Sequence, residues 1–314
     1  MRQLNIISGA GINLGISAVC PEATEITNFT YQKISTSVYE RVTPEIRAMF
    51  SPDSFDYILG GLLTINLVIE RTKSELQRFR MDPHAFSALF RQSELQGSIG
   101  SALDDIEEKL TISLRQMMSV VNRFDRHIAR IFSDYDSINY FTLNFDGLFD
   151  HIVYGPRYSR GTDVTDFWAG NGQMNRSAAA KFKILHLHGD LRYKPTKKTQ
   201  YHTPPYRWPV LVVGDQGVKK GIIAGNEALL FYKQYFNSIC GNRGLATENN
   251  LAIIGFGFRD EDSHIVSNIQ DGLLNNVFDK VSVYSPEDKL LSIYPARRWM
   301  TPTNGSLTDF LDGL

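Results

Sequence analysis

The sequence predicts an α/β protein: a doubly wound, mostly parallel sheet with a large helical insertion. Three observations carry this. Apolar runs of strand length recur at 4–8 (LNIIS), 137–145 (SINYFTLNF), 182–189 (FKILHLHG), 250–258 (NLAIIGFGF) and 280–286 (KVSVYSP). Segments of helical character follow several of them, and strands alternating with helices imply a sheet covered on both faces. Between the first two runs, from about 26 to 132, the apolar residues recur at helical spacing with few strand signals.

Each element follows from its residues. LNIIS runs into Gly9-Ala10-Gly11, and strand, glycine turn and helix open a dinucleotide-binding, Rossmann-like unit. The insertion shows helical spacing at Phe86, Leu89 and Phe90, and again at Leu103, Ile106, Leu110, Leu114, Met117, Met118 and Val121. SINYFTLNF is a strand with a helix expected at about 146–153. FKILHLHG is a strand ending at glycine. The segment 190–224 is rich in Pro, Gly and Lys, with WPVLVVG at 208–214 as a strand. A helix is expected at about 226–240. NLAIIGFGF has the continuous apolar run of a strand buried on both faces. A further helix at about 262–275 follows, capped from Asp260 or Asp262, with Asp260 favoured. KVSVYSP closes the series. The expected division is one domain of 1–25 with 133–314, and a helical insertion of 26–132.

The bulk numbers restrict the function. The 314 residues carry a net charge of −1, so no global basic field holds a nucleic acid, and direct nucleic-acid binding is not expected. Arg192, Lys194, Lys197 and Lys198 read as a solvated loop. The two cysteines, Cys20 and Cys240, suit a reducing cytoplasm and cannot build a four-thiolate zinc site. MRQLNIIS lacks the pattern of a secretory signal. YILGGLLTINLVI at 57–69 is shorter than a membrane span and reads as a buried helix.

The chemistry lies at the strand ends. Gly9, Asn144, His188 and Gly255 each fall at the carboxyl end of an expected strand, where ligands bind in open α/β sheets. At Gly9-Ala10-Gly11 the small residues let backbone amides approach a diphosphate, and the following helix aims its positive end there. Gly15 comes one residue late for G-x-G-x-x-G. Asn13 and Ser17 can contact a ligand or cap the helix. Asn144 can hold a ribose hydroxyl or position a water, or form an Asx turn. Asp146 can bond a nicotinamide amide or cap the next helix. His188, before Gly189, is placed to act as a general base, whereas His186 is expected to face the other way and pack. A His-x-His metal pair lacks an evident third ligand. Gly255 and Gly257 permit a second close backbone approach. Arg259, Asp262 and His264 follow, of which Asp262 and His264 can cap or reach a ribose. Tyr284-Ser285 can flank an adenine.

The ordered set GAG, T-x-N-F-D, L-H-G and G-F-G-x-x-D resembles the sirtuin superfamily, above all the sirtuin-like domains of bacterial antiphage defence systems. The residues are Gly9-Ala10-Gly11, Thr142 to Asp146, His188-Gly189 and Gly255-Phe256-Gly257. The resemblance implies a domain that binds NAD as substrate and cleaves its nicotinamide–ribose bond, with Asn144 and His188 as the catalytic pair. The glycine-motif residues, Thr142, Asp146 and Gly189 then belong to the NAD site. Two departures stand out. Deacetylating sirtuins carry a four-cysteine zinc module after H-G, and 190–224 has no cysteine. They also carry a G-I-P-D-F-R loop, where this chain reads ISAVCPEATEI without the arginine. No zinc is therefore expected, and an acyl-lysine peptide is disfavoured as substrate. The expected products are nicotinamide and ADP-ribose. An always-active enzyme of this kind would poison its host, so gating by homo-oligomerisation or by a regulatory partner is expected. In the defence members helices serve assembly and gating, and Phe50, Phe55, Tyr57, Leu62 and Leu63 supply apolar positions for this. The alternatives are an NAD or ADP-ribose sensor without turnover, and a deacylase or ADP-ribosyltransferase.

Overall fold

The computed structural model of the chain describes residues 1–20, 55–79, 92–110, 114–153, 164–166, 180–190, 210–284, 300–302 and 305–314, with isolated positions between 82 and 88. In chain order the elements are β1 (Arg2–Ser8), α1 (Gly11–Val19), α2 (Phe55–Arg78), α3 (Gln92–Leu110), α4 (Leu114–Asp134), β2 (Ser137–Thr142), α5 (Leu148–Val153), β3 (Val164–Asp166), β4 (Phe182–His186), β5 (Gly189–Asp190), β6 (Val210–Leu211), α6 (Gln216–Ala224), α7 (Glu227–Gly241), β7 (Glu248–Ile254), α8 (Ser263–Leu274), β8 (Lys280–Tyr284), β9 (Met300–Pro302) and α9 (Leu307–Asp312). Phe50, Phe86, Leu89, Phe90, the basic residues of 192–198 and Ser285 lie outside the described residues.

Among the described residues, seven of the nine strands form one sheet in the order β3-β4-β2-β1-β7-β8-β9, with every pair in it parallel. This is the doubly wound α/β fold. The chain moves outward from β1 through β2 to β4, then returns to the other side of β1 for β7, β8 and β9. The switch point therefore lies between β1 and β7.

Alternation along each strand sorts the core into two layers. Leu4, Ile6, Ile138, Tyr140, Ile184, Ala252 and Ile254 face one layer, with Ile12 and Ile16 of α1, Phe124 and Ile128 of α4, and Phe310 of α9. Ile7, Phe141, Leu185, Leu251 and Ile253 face the other, with Tyr232 and Phe236 of α7 and Ile265 and Ile269 of α8. Burial on both faces is why these strands read as continuous apolar runs. Helix α4 falls almost wholly within 26–132 yet packs on the sheet through Val120, Phe124, Ile128 and Ile131.

Near the amino ends of the central strands a buried amide ladder crosses the sheet. Asn139 Nδ2 donates to Asn5 Oδ1 at 2.8 Å, and Asn5 Nδ2 donates to Asn249 Oδ1 at 2.8 Å. The Tyr235 hydroxyl donates to Asn139 Oδ1 at 2.9 Å. Asn5 Nδ2 also donates to the Asn250 carbonyl and Asn249 Nδ2 to the Val277 carbonyl, and buried amides bonded across strands in this way disfavour a register slip.

Three expectations are corrected. The strand at 208–214 reduces to β6, which pairs antiparallel with β5 apart from the main sheet. Residues 216–224, read as part of a loop, form helix α6, whose N-cap Asp215 accepts from the Val218 N–H. Gly217 and Gly221 weaken the helical signal there. Helix α2 is not buried all round: Leu59, Leu62 and Ile69 are buried, whereas Val68 is 56% exposed. Among the described residues no helix is long and apolar enough to cross a membrane.

Candidate active site

Register places the motif-bearing turns on one edge of the sheet. Ser8 pairs with Thr142 and with Ile254, and Thr142 pairs with His186. Gly9, Asn144, His188 and Gly255 therefore leave four neighbouring strands at their carboxyl ends. Asn144 and His188 occupy equivalent places, each two residues past the Thr142–His186 pair.

At the switch point the glycines touch one another. The Gly11 N–H donates to the Gly255 carbonyl at 3.0 Å, and the Gly9 N–H donates to the Ile254 carbonyl at 3.0 Å. A Cβ on Gly9 would lie 2.7 Å from the Gly255 oxygen, and one on Gly11 would lie 2.7 Å from the Gly255 Cα. The missing side chains at Gly9, Gly11 and Gly255 thus serve backbone-to-backbone packing of two turns. The N–H groups of Ile12 and Asn13 bond the carbonyls of Gly9 and Ala10. Ala10 is exposed, and its N–H has no partner among the described residues. Gly15 does another job: a Cβ there would press on the Tyr284 ring at 3.0 Å. Tyr284 also packs on Phe310, with ring centroids 5.6 Å apart.

Beside this turn, Asn13 Nδ2 donates to Asp146 Oδ2 at 2.8 Å, and the Leu148 N–H donates to Asp146 Oδ1 at 3.0 Å. Asp146 thereby bonds the start of α5 and ties it to α1. Burial raises its carboxyl pKa, although both hydrogen bonds oppose the shift. Thr142 is buried. Its hydroxyl accepts from Ser8 Oγ at 3.1 Å and from the Asn144 N–H at 3.1 Å. The Asn144 side chain is left with a buried Oδ1 that has no hydrogen-bond partner among the described residues. Such an acceptor is costly to bury and is suited to a ligand hydroxyl or water.

His186 and His188 do separate, though not by strand alternation, which puts residues two apart on the same face. β4 ends at His186, and the chain then turns through Gly189, at φ +86°. His186 Nε2 lies 2.9 Å from Asp150 Oδ2 on α5 and 3.4 Å from Asp190 Oδ2. All three side chains are buried, and their donor atoms lie within 4.8 Å of one another. Two carboxylates and an imidazole have the chemistry to hold a cation, and the Asp150–His186 hydrogen bond is an equally direct use of them.

His188 turns toward α6 and α8. Its Nε2 lies 3.4 Å from His264 Nε2 and 3.6 Å from Asp262 Oδ1. Burial, reinforced by the Lys219 charge and by His264, holds its pKa well below the ordinary histidine value. The ring is therefore neutral near pH 7, as a proton acceptor requires. Asp262 stands at the N-cap of α8, but its side chain makes no capping bond; it pairs with Lys219 Nζ at 2.7 Å. Asp260, the expected cap, instead opens the 3₁₀ turn Asp260–Asp262, and the N-cap position of α8 falls to Asp262. Gly257 is exposed and would tolerate a Cβ, with Arg259 no closer than 3.8 Å. Its neighbour Phe258 is held at φ +48°, a strained conformation for a bulky residue beside the switch point.

Sequence reasoning missed Asp150 and Lys219. Asp150 falls one helical turn after Asp146, the one signal that placed it near the motif. Lys219, one of two adjacent lysines, lies on a helix that the glycines concealed. The helical segment also reaches the site. A Cβ on Gly60 of α2 would lie 2.5 Å from the Gly214 Cα, and two residues earlier the Val212 N–H donates to the His188 carbonyl at 2.8 Å. Comparison of the chain with models of known protein families and with curated proteins finds no match.

Proposed function

We propose that the chain is an NAD glycohydrolase that cleaves the nicotinamide–ribose bond to give nicotinamide and ADP-ribose, gated by its own assembly or by a partner protein, as an effector of antiphage defence. The observation that carries this reading is the pairing of a buried, unpartnered Asn144 oxygen with a neutral His188 on neighbouring strand ends beside the Gly9–Gly11 turn. In the proposed reaction the C1′–N bond breaks and nicotinamide leaves with the electron pair. Water forms the new C1′–O bond and gives up a proton. Asn144 accepts from the ribose hydroxyl or the attacking water, and His188 takes the proton. The Ala10 amide and the positive end of α1 attract the diphosphate. Helix α2, packed on Gly214, gives the helical segment a direct mechanical route to His188.

The test supplies NAD to the purified protein and follows nicotinamide release, alone and with candidate activating partners. Asn144→Ala and His188→Ala each lower turnover by about 10²–10⁴-fold, the range for loss of a general base or a positioning group, while circular dichroism stays that of the parent. Full activity in both variants sinks the assignment.

A further inference from the structure

His188 does not enter the site as an isolated imidazole. Its ring stacks on that of His264, with centroids 5.4 Å apart and 24° between the planes. Asp262 Oδ1 lies near the same Nε2, and Lys219 Nζ holds that oxygen at 2.7 Å. The four groups are buried, with exposures of 4% for His188, 5% for His264, 8% for Asp262 and 2% for Lys219. The reading above uses only His188 of these four.

Two ring nitrogens 3.4 Å apart share one hydrogen: one ring donates and the other accepts. Burial keeps both rings neutral near pH 7. The Lys219 charge adds to this at His188; at His264 burial is the largest cause, Asp262 opposes it and Lys219, Lys233 and Lys220 add to it, leaving its pKa at about 4. Each ring then carries a single proton, and two arrangements are open. In one, His188 donates from Nε2 and its Nδ1 is bare. In the other, His264 donates, His188 is protonated on Nδ1, and neither His188 nitrogen can act as a base toward a ligand. His264 Nδ1 is buried without a partner among the described residues in both, so it does not discriminate. Asp262 does, because a carboxylate oxygen 3.6 Å from His188 Nε2 attracts an N–H there and repels a lone pair.

We infer that His264 and Asp262 are positioning residues for His188: they hold its Nε2–H inward and leave the Nδ1 lone pair as the base of the site. The chemical consequence rests on the NAD-hydrolase reading. The tautomer does not, and it can be measured with no substrate present. In the proposed hydrolysis the water proton moves to His188 Nδ1 as nicotinamide departs.

The experiment records two-bond ¹H–¹⁵N spectra of the whole protein labelled at histidine, near neutral pH, with His188 assigned by the signals lost in His188→Gln. The expected parent spectrum has His188 protonated on Nε2. His264→Gln keeps an acceptor for that proton and preserves the tautomer. His264→Phe keeps the stacking and the volume but loses it. In the turnover assay His264→Phe lowers kcat by roughly tenfold or more with KM changed by less than about twofold, and His264→Gln recovers most of the loss. If His264→Phe does not fold, Asp262→Asn carries the test, and His188 then shifts toward the Nδ1-protonated form. An Nδ1-protonated His188 in the parent protein, or Gln and Phe variants that behave alike, overturns the inference. If the tautomers follow expectation but nicotinamide is never released under any activation, the NAD reading falls and the positioning role stands.

Discussion

Gly11 and Gly255 meet backbone to backbone: the Gly11 N–H donates to the Gly255 carbonyl at 3.0 Å, and a Cβ on Gly255 would sit 2.3 Å from the Gly11 carbonyl carbon. This contact closes the switch point between β1 and β7 with the protein's own chain.

Gly255 also sits at φ +57°, so an alanine there is strained as well as crowded. Gly255→Ala is expected to destabilise the fold by about 2–4 kcal/mol. Gly257→Ala, with open space and no positive φ, is expected to stay within about 0.5 kcal/mol of the parent. Urea melts of the two variants check this, and equal stabilities would show that the two turns do not pack as described.

Acid stability tests the histidine cluster. The folded protein resists protonating His188 and His264, whereas the unfolded chain protonates both below about pH 6.5. Below that pH the unfolded state binds more protons, so stability falls as pH drops from about 6.5 toward the His264 value of about 4. Each imidazole contributes a slope of up to about 1.4 kcal/mol per pH unit. Above about 6.5 both rings are neutral in both states and contribute no slope. Urea midpoints across this window, compared with those of a His188→Gln, His264→Gln double variant, should differ in slope; parallel curves would contradict the shifts.

Gly60→Ala is expected to separate α2 from the Gly214 turn, because its Cβ would lie 2.5 Å from the Gly214 Cα. Alanine gains about 1 kcal/mol of helix propensity, but relieving the overlap costs about 1–3 kcal/mol and moves backbone. Amide chemical shifts at Val212 and His188 should change along with turnover. An unperturbed spectrum would remove the proposed route from the helical segment to the site.

Asn139→Ala breaks two links of the amide ladder, the bonds to Asn5 and from Tyr235. Asn5 Oδ1 keeps a bond from Gln3 Nε2 at 3.2 Å and Tyr235 is only half-buried, so the loss costs about 1–3 kcal/mol in all. A lower urea midpoint with an unchanged m-value is expected.

The fold was legible in the sequence where periodicity was strong. The five long strands were readable because both faces of each are covered, which writes burial into consecutive residues. β3 and β9 were not, since three-residue edge strands carry no period. Helix α6 was hidden by its own glycines. Asn144 and His188 could be placed on one edge because each follows a strand and parallel strands share a carboxyl end.

Local chemistry along the chain thus determined the sheet, its direction and the edge where reactive groups gather. What it did not determine is which group each of them touches. That Gly11 meets Gly255, that His188 shares a proton with His264, and that Lys219 is spent on Asp262 depend on residues 244, 76 and 43 positions apart. Contacts at that separation are set by the order of strands and the packing of helices across them, and the spacing of residues along a single segment carries no record of either.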